Sequence, residues 1–401
     1  MNDHIPPNFQ VSGFMASGMA AGIKKNQMKD LGLLYSEAPA VAAGVFTTNR
    51  VKAAPVLVSR ERVKSGKARA ILVNSGCANA CTGRKGITDA RQLTRLIAAS
   101  LKIEVESVLL ASTGVIGKPL PLEVMEKGIP NLVASLSPSG LGDAALAIMT
   151  TDTVPKAVII RGEINGKEVT LAGMAKGAGM ISPRMATLLV FVLTDAAISP
   201  GALRKALREG VQGSFNRITV DGDMSTNDTL LVLANGRAGN QEITPANPGF
   251  KKFSLLLNDL LYSLARKVAQ DGEGVTKLVK IVVEKARTLP EAEKVARAVA
   301  NSALVKTAFF GEDANWGRIL CAAGYSGALI DPEKVDIYFD DVNIVRRGQG
   351  RGLEEEDRAT SVMKKREYTV RLNLHRGTQS TFLLTTDLSF DYVKINASYR
   401  S

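Results

Sequence analysis

Residues 176–195 read KGAGMISPRMATLLVFVLTD and join a glycine-rich loop to an uninterrupted apolar segment. The apolar run at 188–193 has the length of a buried strand and is short for a helix. The glycines and Pro183 disfavour a helix before it, so Thr187 is expected at the first position of a strand over 187–194. A strand that is apolar on both faces is expected to be buried.

The segments on either side alternate short strands with amphipathic helices. The clearest helical pattern lies at 253–268, where Phe253, Leu257, Leu261 and Leu264 share one face. Further helices are predicted over 88–101, 121–128, 139–150, 291–305 and 353–364. Strands are predicted over 41–47, 55–59, 70–74, 107–111, 157–160, 168–171, 278–283 and 335–339, with a hairpin of 368–374 and 380–386 around Gly377. The fold class is therefore predicted to be mixed α/β with largely antiparallel sheets.

Length and composition indicate a globular protein. A chain of 401 residues corresponds to two or three domains at about 150 residues each. With 45% hydrophobic and 22% charged residues, it has the composition of a packed protein rather than a disordered one. No apolar run approaches the ~18 residues needed to span a bilayer, and the first residues, MNDHIPPNFQ, lack the pattern of a secretory signal. We therefore expect a cytoplasmic protein with no membrane partner.

The charge balance and the rare residue types narrow the chemistry. The net charge is +12, but no long basic run interleaved with aromatics occurs, so nucleic acid is not an expected partner. A basic surface can still attract small carboxylate substrates. The three cysteines, Cys77, Cys81 and Cys321, lack a second pair to close a zinc site, so we expect reduced thiols and no metal. The two histidines, His4 and His375, do not stand in a nucleophile-like context.

Thr187 has two interpretations. The first is structural, because threonine favours strands and Thr187 begins one. The second is that its hydroxyl attacks the carbonyl of Ala186, breaks the chain and frees the α-amine of Thr187. An α-amine has a pKa of about 7.7 to 8, so near neutral pH it can accept the proton of its own hydroxyl, and no histidine is required.

The segment around Thr187 is accompanied by other recognisable motifs along the chain. They are VAAGVFT at 41–47, NSGCANA at 74–80, STGVIG at 112–117, MTTDT at 149–153, DGDMSTNDT at 221–229, DGEG at 271–274, KTAFFGEDANWGR at 306–318 and VKIN at 393–396. With these motifs, nearly the whole chain resembles the ornithine acetyltransferase family, the glutamate N-acetyltransferases of arginine biosynthesis.

The resemblance implies a self-cleaving enzyme. Cleavage between Ala186 and Thr187 would give an alpha chain, 1–186, and a beta chain, 187–401, that assemble as a heterotetramer of two copies of each. The reaction would move acetyl from N-acetylornithine through an ester on Thr187 to glutamate, without a cofactor. The implied fold is the αββα-type sandwich shared with self-cleaving aminopeptidases. Whether acetyl-CoA serves as a second donor is left open by the sequence.

The resemblance also assigns residues. The nucleophile falls on Thr187, and the groups that stabilise the oxyanion fall on Thr113 and Gly114. The implied substrate contacts are Thr150, Lys176, Thr187, Glu273, Asn396 and Ser401. Lys176 suits a carboxylate and Glu273 suits the ornithine ammonium. The chain departs from the family pattern at Arg184 and at Ser401.

Two other functions are compatible with the residues alone. A self-cleaving aminopeptidase or amidohydrolase would use the same Thr187 chemistry and pass the acyl group to water. A binding protein with an unprocessed chain would have no catalytic use for Thr187. An assay of acetyl transfer against peptide hydrolysis, together with the mass of the purified chain, separates the three.

Overall fold

A computed structural model describes residues 4–25, 27–182 and 188–398. They form two compact units. The first comprises the described residues up to Asn216 together with Asp223–Val268, and the second comprises Arg217–Gly222 and the described residues from Ala269 on. This division does not coincide with the predicted cleavage point, and the cleavage itself stays a prediction.

The first unit contains one eight-stranded sheet and six helices among the residues that the structure describes. Its strands are β1 (Phe14–Met19), β2 (Leu31–Phe46), β3 (Lys67–Cys77), β4 (Val108–Val115), β5 (Lys156–Ile164), β6 (Lys167–Lys176), β7 (Leu189–Thr194) and β8 (Thr229–Ala234). Its helices are α1 (Ala54–Arg62), α2 (Gly83–Leu101), α3 (Leu122–Ala134), α4 (Leu141–Ala147), α5 (Pro200–Gly213) and α6 (Gly249–Gln270). The strand order is β4-β3-β2-β8-β7-β6-β5, with β1 paired to β2. Only β3/β4 and β7/β8 are parallel.

The long strand β2 lets this sheet form two layers. Its first half pairs with β3 and its second half with β8, and the register shifts between Tyr35 and Ala40. One core cluster contains side chains of β3 and of β6 and β7 together, among them Ile71, Met174 and Phe191. The two halves of the sheet therefore pack face to face.

Helices cover the outer faces of the two layers. A second core cluster joins the opposite face of β3 and β4 to α1, α2 and α3. On the other side, α6 lies against β6, because a Cβ added at Gly173 would be 2.6 Å from Leu260. The resulting α/β/β/α order confirms the predicted mixed α/β class and its layered sandwich.

The second unit is built on a six-stranded sheet. Its strands are β9 (Leu278–Ala286), β10 (Asp336–Phe339), β11 (Val342–Arg346), β12 (Gln349–Gly350), β13 (Glu367–Asn373) and β14 (Gln379–Thr386), in the order β12-β11-β10-β13-β9-β14. Its helices are α7 (Leu289–Asn301), α8 (Ala303–Phe310), α9 (Trp316–Gly324), α10 (Leu353–Met363) and α11 (Phe390–Ser398). In the described ranges, no helix is long and apolar enough to cross a membrane.

Three of the sequence predictions are wrong. The helix predicted over 291–305 is interrupted at Ser302, so this segment lies in α7 and α8. The segment 55–59, predicted as a strand, lies in α1, which accepts Pro55 in its first turn where the missing N–H costs nothing. The segments 368–374 and 380–386 do not pair as a hairpin. Instead β13 and β14 flank β9, which pairs with one in parallel and with the other antiparallel. Both strands pair with the buried strand β9 and not with each other, and their nearness in sequence does not predict this pairing.

Candidate active site

The two candidate oxyanion donors lie at the end of β4. Thr113 and Gly114 are opposite Ser75 and Gly76 of the parallel strand β3. Gly114 has a φ of 129°, and an added Cβ would lie 2.4 Å from the carbonyl carbon of Gly76. Only glycine fits this close approach, and the backbone N–H of Gly114 follows Thr113 directly in the chain.

Lys176 contacts this turn directly. It is the last residue of β6, and its Nζ donates a hydrogen bond of 3.1 Å to Oγ1 of Thr113. The exposed fractions are 5% for Lys176 and 7% for Thr113, so the contact is shielded from water. The structure thus brings together two residues that the resemblance assigned to different tasks, substrate binding and oxyanion stabilisation.

Asp152 connects the predicted site residue Thr150 to the residue that follows Lys176, and the sequence analysis missed it. Its carboxylate accepts hydrogen bonds from the backbone N–H of Thr150 at 2.9 Å and of Gly177 at 2.7 Å. Lys156 forms an ion pair with it, and the side chains of both are almost fully buried. Burial by itself raises the pKa of Asp152, but the ammonium groups of Lys156 and Lys176 outweigh that effect and lower the pKa to about 2. Asp152 is therefore a carboxylate at neutral pH.

Lys24 adds another cation to the same region. Its Nζ donates to the backbone oxygens of Lys29 at 3.0 Å and Met149 at 2.7 Å, next to Thr150. Burial lowers its pKa to about 8, although Asp30 and Asp152 act in the opposite direction. Three lysines, at 24, 156 and 176, thus lie near three aspartates, at 30, 152 and 228. The lysine ammonium groups of this sheltered region favour an anionic substrate.

The segment after Thr187 is held by β8 and the loop before it. The Leu188 N–H donates to Oδ1 of the fully buried Asp228 at 3.1 Å, and the Leu188 carbonyl accepts from the Thr229 N–H at 3.0 Å. Burial raises the pKa of Asp228 well above its usual value, against the lowering effect of the nearby Thr47 hydroxyl. The neighbouring Asn227 donates to the carbonyl oxygen of Ser112 at 2.8 Å. The same loop therefore holds the residue after Thr187 and the residue before Thr113.

Three of the predicted site residues lie outside the described residues. They are Ala186 and Thr187, at the proposed cleavage point, and Ser401; Arg184 lies outside them as well. Neither the cleavage nor the contact of Ser401 with substrate is tested by the structure.

Glu273 and Asn396 form a pair within the second unit. Asn396 donates from Nδ2 to Oε2 of Glu273 at 2.8 Å, and Glu273 is buried just after α6. Gly274 has a positive φ and packs against the backbone of Tyr392, which brings the two segments together. A buried carboxylate with an amide partner can receive an ammonium group, as predicted for Glu273.

Three cysteines and two histidines lie within the described residues. All three cysteines are free, as predicted, and burial raises the pKa of the Cys77 thiol, so it stays protonated. No group of three His, Cys, Asp or Glu side chains within 4–25, 27–182 and 188–398 could hold a metal ion. His375 lies against Asp336, with 2.8 Å between Nε2 and Oδ2, in the second unit.

Comparison with known proteins covers nearly the whole chain. The ArgJ family matches residues 15–401. An arginine biosynthesis bifunctional protein ArgJ from Geobacter sulfurreducens is 52% identical over 391 residues, which is 98% of this chain and all of that protein. The protein of the same name from Thermotoga neapolitana is 45% identical over 399 residues, again 98% of this chain and all of that protein.

A solved structure matches as well. The crystal structure of arginine biosynthesis bifunctional protein argJ from Bacillus halodurans is 43% identical with a TM-score of 0.50. The match covers 52% of this chain and 98% of that chain.

Proposed function

This chain belongs to the ArgJ family, and from that membership we propose that it moves the acetyl group of N2-acetyl-L-ornithine to L-glutamate through an ester on Thr187. It is an acetyltransferase of arginine biosynthesis. The observation that carries the proposal is the full-length match, joined to a site in which Lys176, Thr113 and Gly114 lie together.

Self-cleavage comes first in this proposal. The Thr187 hydroxyl attacks the carbonyl carbon of Ala186, its proton passes to the departing amide nitrogen, and an ester replaces the peptide bond. Water then hydrolyses that ester, which leaves a carboxylate on Ala186 and an α-amine on Thr187. The Asp228–Leu188 hydrogen bond supports this role, because it holds the backbone next to the reacting residue.

The Bacillus halodurans structure supports two separate chains. It is covered almost completely by 52% of the 401 residues, which is about 209 residues. That length is close to the 215 residues of the proposed beta chain, 187–401.

Acetyl transfer then proceeds in two half-reactions. The Thr187 α-amine takes the proton of the Thr187 hydroxyl, whose oxygen attacks the acetyl carbonyl of acetylornithine. The tetrahedral oxyanion accepts hydrogen bonds from the Thr113 hydroxyl and the Gly114 N–H, and ornithine leaves with its amine protonated. Glutamate attacks the resulting ester by the same route in reverse and regenerates the hydroxyl.

The charged side chains of the site match the charged groups of the two proposed substrates, acetylornithine and glutamate. Lys176 is proposed to hold a substrate carboxylate beside Thr150. Glu273, paired with Asn396, is proposed to hold the ornithine ammonium, and Ser401 is proposed as a further substrate contact. A charge-assisted hydrogen bond of this kind is worth about 1.5 to 3 kcal/mol.

The wider setting follows the family. We propose a cytoplasmic heterotetramer of two alpha and two beta chains with no cofactor. The relatives' names include the word bifunctional, which supports acetyl-CoA as a second acetyl donor to glutamate.

Intact mass measurement of the purified protein tests the proposal. We expect fragments of 186 and 215 residues, the second beginning at Thr187, and a single uncleaved chain for Thr187→Ala. Cleaved enzyme mixed with acetylornithine alone should yield a beta chain heavier by one acetyl group, which glutamate then discharges. Two chains in the Thr187→Ala variant would contradict self-cleavage by this residue, and peptide hydrolysis without acetyl transfer would favour an aminopeptidase.

A further inference from the structure

The hydrogen bond between Lys176 and Thr113 has a fixed direction. A lysine ammonium has three donors and no acceptor, whereas a threonine hydroxyl has one donor and two lone pairs. In the 3.1 Å contact, Oγ1 of Thr113 must therefore be the acceptor. The single hydroxyl hydrogen of Thr113 remains available, and no acceptor among the described residues takes it.

The ammonium also changes how well that hydroxyl donates. Hydrogen bonds to a charged group are roughly twice as strong as neutral ones. A hydroxyl that accepts a hydrogen bond from an ammonium group becomes more polarised, and its own hydrogen then donates more strongly. Both side chains are buried, so water does not screen the effect. Lys176 thus orients the hydroxyl hydrogen of Thr113 away from its own ammonium group and makes that hydroxyl a stronger donor.

Asp152 holds Lys176 in place from the backbone side. It accepts the N–H of Gly177, the residue directly after Lys176, at 2.7 Å, and it is held in turn by Lys156. Since Lys176 is the last residue of β6, its position is fixed by the sheet on one side and by this carboxylate on the other.

We propose that Lys176 is a positioning residue for the oxyanion-stabilising group, and that it acts on the chemical step through Thr113 rather than only by binding a substrate carboxylate. The proposal rests on the acetyltransferase function proposed above. It makes Lys176 necessary even for a substrate that has no carboxylate.

An acetyl donor without a carboxylate or an ammonium separates the two roles. p-Nitrophenyl acetate should acetylate Thr187 and release p-nitrophenol, and hydroxylamine should then accept the acetyl group. Rates are normalised to the amount of 215-residue fragment, so that incomplete self-cleavage of a variant does not lower its measured rate. We expect Lys176→Met to slow both steps about 10-fold or more, whereas Lys167→Met, at an exposed position on the same strand, should leave them unchanged.

A double-mutant cycle identifies the route. Thr113→Val should slow acetylation by p-nitrophenyl acetate on the order of 10²-fold, the cost of one oxyanion donor. In the Thr113→Val background, Lys176→Met should have little further effect, because its target is gone. Thr113→Ser keeps a hydroxyl and should restore both the rate and the sensitivity to Lys176→Met.

Additive effects of the two substitutions would overturn the proposal. So would an Lys176→Met variant with an unchanged p-nitrophenyl acetate rate and a raised KM for acetylornithine and glutamate, since that pattern is substrate binding alone. If Lys176→Met yields no cleaved chain, Lys176→Gln replaces it in the same cycle, because Gln keeps a donor and removes the charge. Failure of the proposed acetyltransferase function would give a different result, in which p-nitrophenyl acetate still acetylates the Thr187→Ala variant.

Discussion

Lys306 in α8 is predicted to make the stability of the second unit depend on pH. It is almost fully buried, and its Nζ donates to the carbonyl oxygen of Thr386, to Oγ1 of Thr386 at 3.0 Å and to Oγ1 of Thr385 at 3.4 Å. Burial lowers its pKa from 10.5 to about 7, although Asp387 and Asp221 act in the opposite direction. In the unfolded chain the amine regains its ordinary pKa.

The sign of the effect follows from proton counting. Between about pH 7 and 10.5 the unfolded state binds more protons at this site than the folded state, so the free energy of unfolding rises with pH. Below about pH 7 both states are protonated and the contribution levels off. The full gap between the two pKa values corresponds to about 5 kcal/mol, and the rise from pH 7 to pH 9 to about 2 kcal/mol.

Urea unfolding followed by tryptophan fluorescence measures this directly. The chain has one tryptophan, Trp316, and it lies in the second unit, so the signal reports on that unit. Measurements stay below pH 9.5, because burial also raises the pKa of Tyr368. Near its ordinary pKa of 10.0, this tyrosine would ionise in the unfolded state first and would also change the free energy of unfolding. Lys306→Met should remove the rise of about 2 kcal/mol. Lys334→Met, at a side chain that is 62% exposed, should retain it. Parallel pH curves for wild type and Lys306→Met would refute the reasoning.

Three further predictions concern the site. Gly114→Ala places a Cβ 2.4 Å from Gly76 and should lower kcat for acetyl transfer on the order of 10²-fold, because it displaces the N–H donor. Gly117→Ala is the matched control, because the space around its Cβ is open. Equal losses of kcat in the two variants would exclude the steric cause. Glu273→Gln should retain self-cleavage but lower kcat/KM for acetylornithine by roughly 10-fold or more, and an unchanged value removes Glu273 from the donor site. Asp152→Asn removes the carboxylate that pairs with the buried Lys156, and it should destabilise the folded state by about 3 to 5 kcal/mol. A melting temperature equal to that of wild type would show that another group balances the charge of Lys156.

Local sequence patterns were sufficient for the elements whose stability is local. The helix predicted over 253–268 is found as α6, and the strand predicted over 187–194 is found from Leu189 onward as β7. A repeating apolar face or an uninterrupted apolar run is contained within the segment itself, so it can be read without the rest of the chain. The mixed α/β class follows from such segments.

Pairing and helix ends were not accessible in the same way. The apolar run at 56–58 suits a strand or a helix, and packing selects α1. The pairing of β13 and β14 with β9 joins residues about a hundred positions apart, as in Leu383 opposite Ile281. Nothing in either segment specifies that partner, because the choice depends on which buried strand is available in three dimensions.

The sequence alone, through its resemblance to a family, determined the candidate residues Thr113, Gly114, Lys176 and Glu273. Only the tertiary structure decided how they act together. The sequence analysis gave Asp152 no role, and it became a site residue because folding places it beside Gly177, 25 positions away. Lys176 likewise meets Thr113 across 63 positions. Hydrogen bonds between distant residues form only when the core brings their strands together, and for that reason the electrostatics of this site belong to the fold.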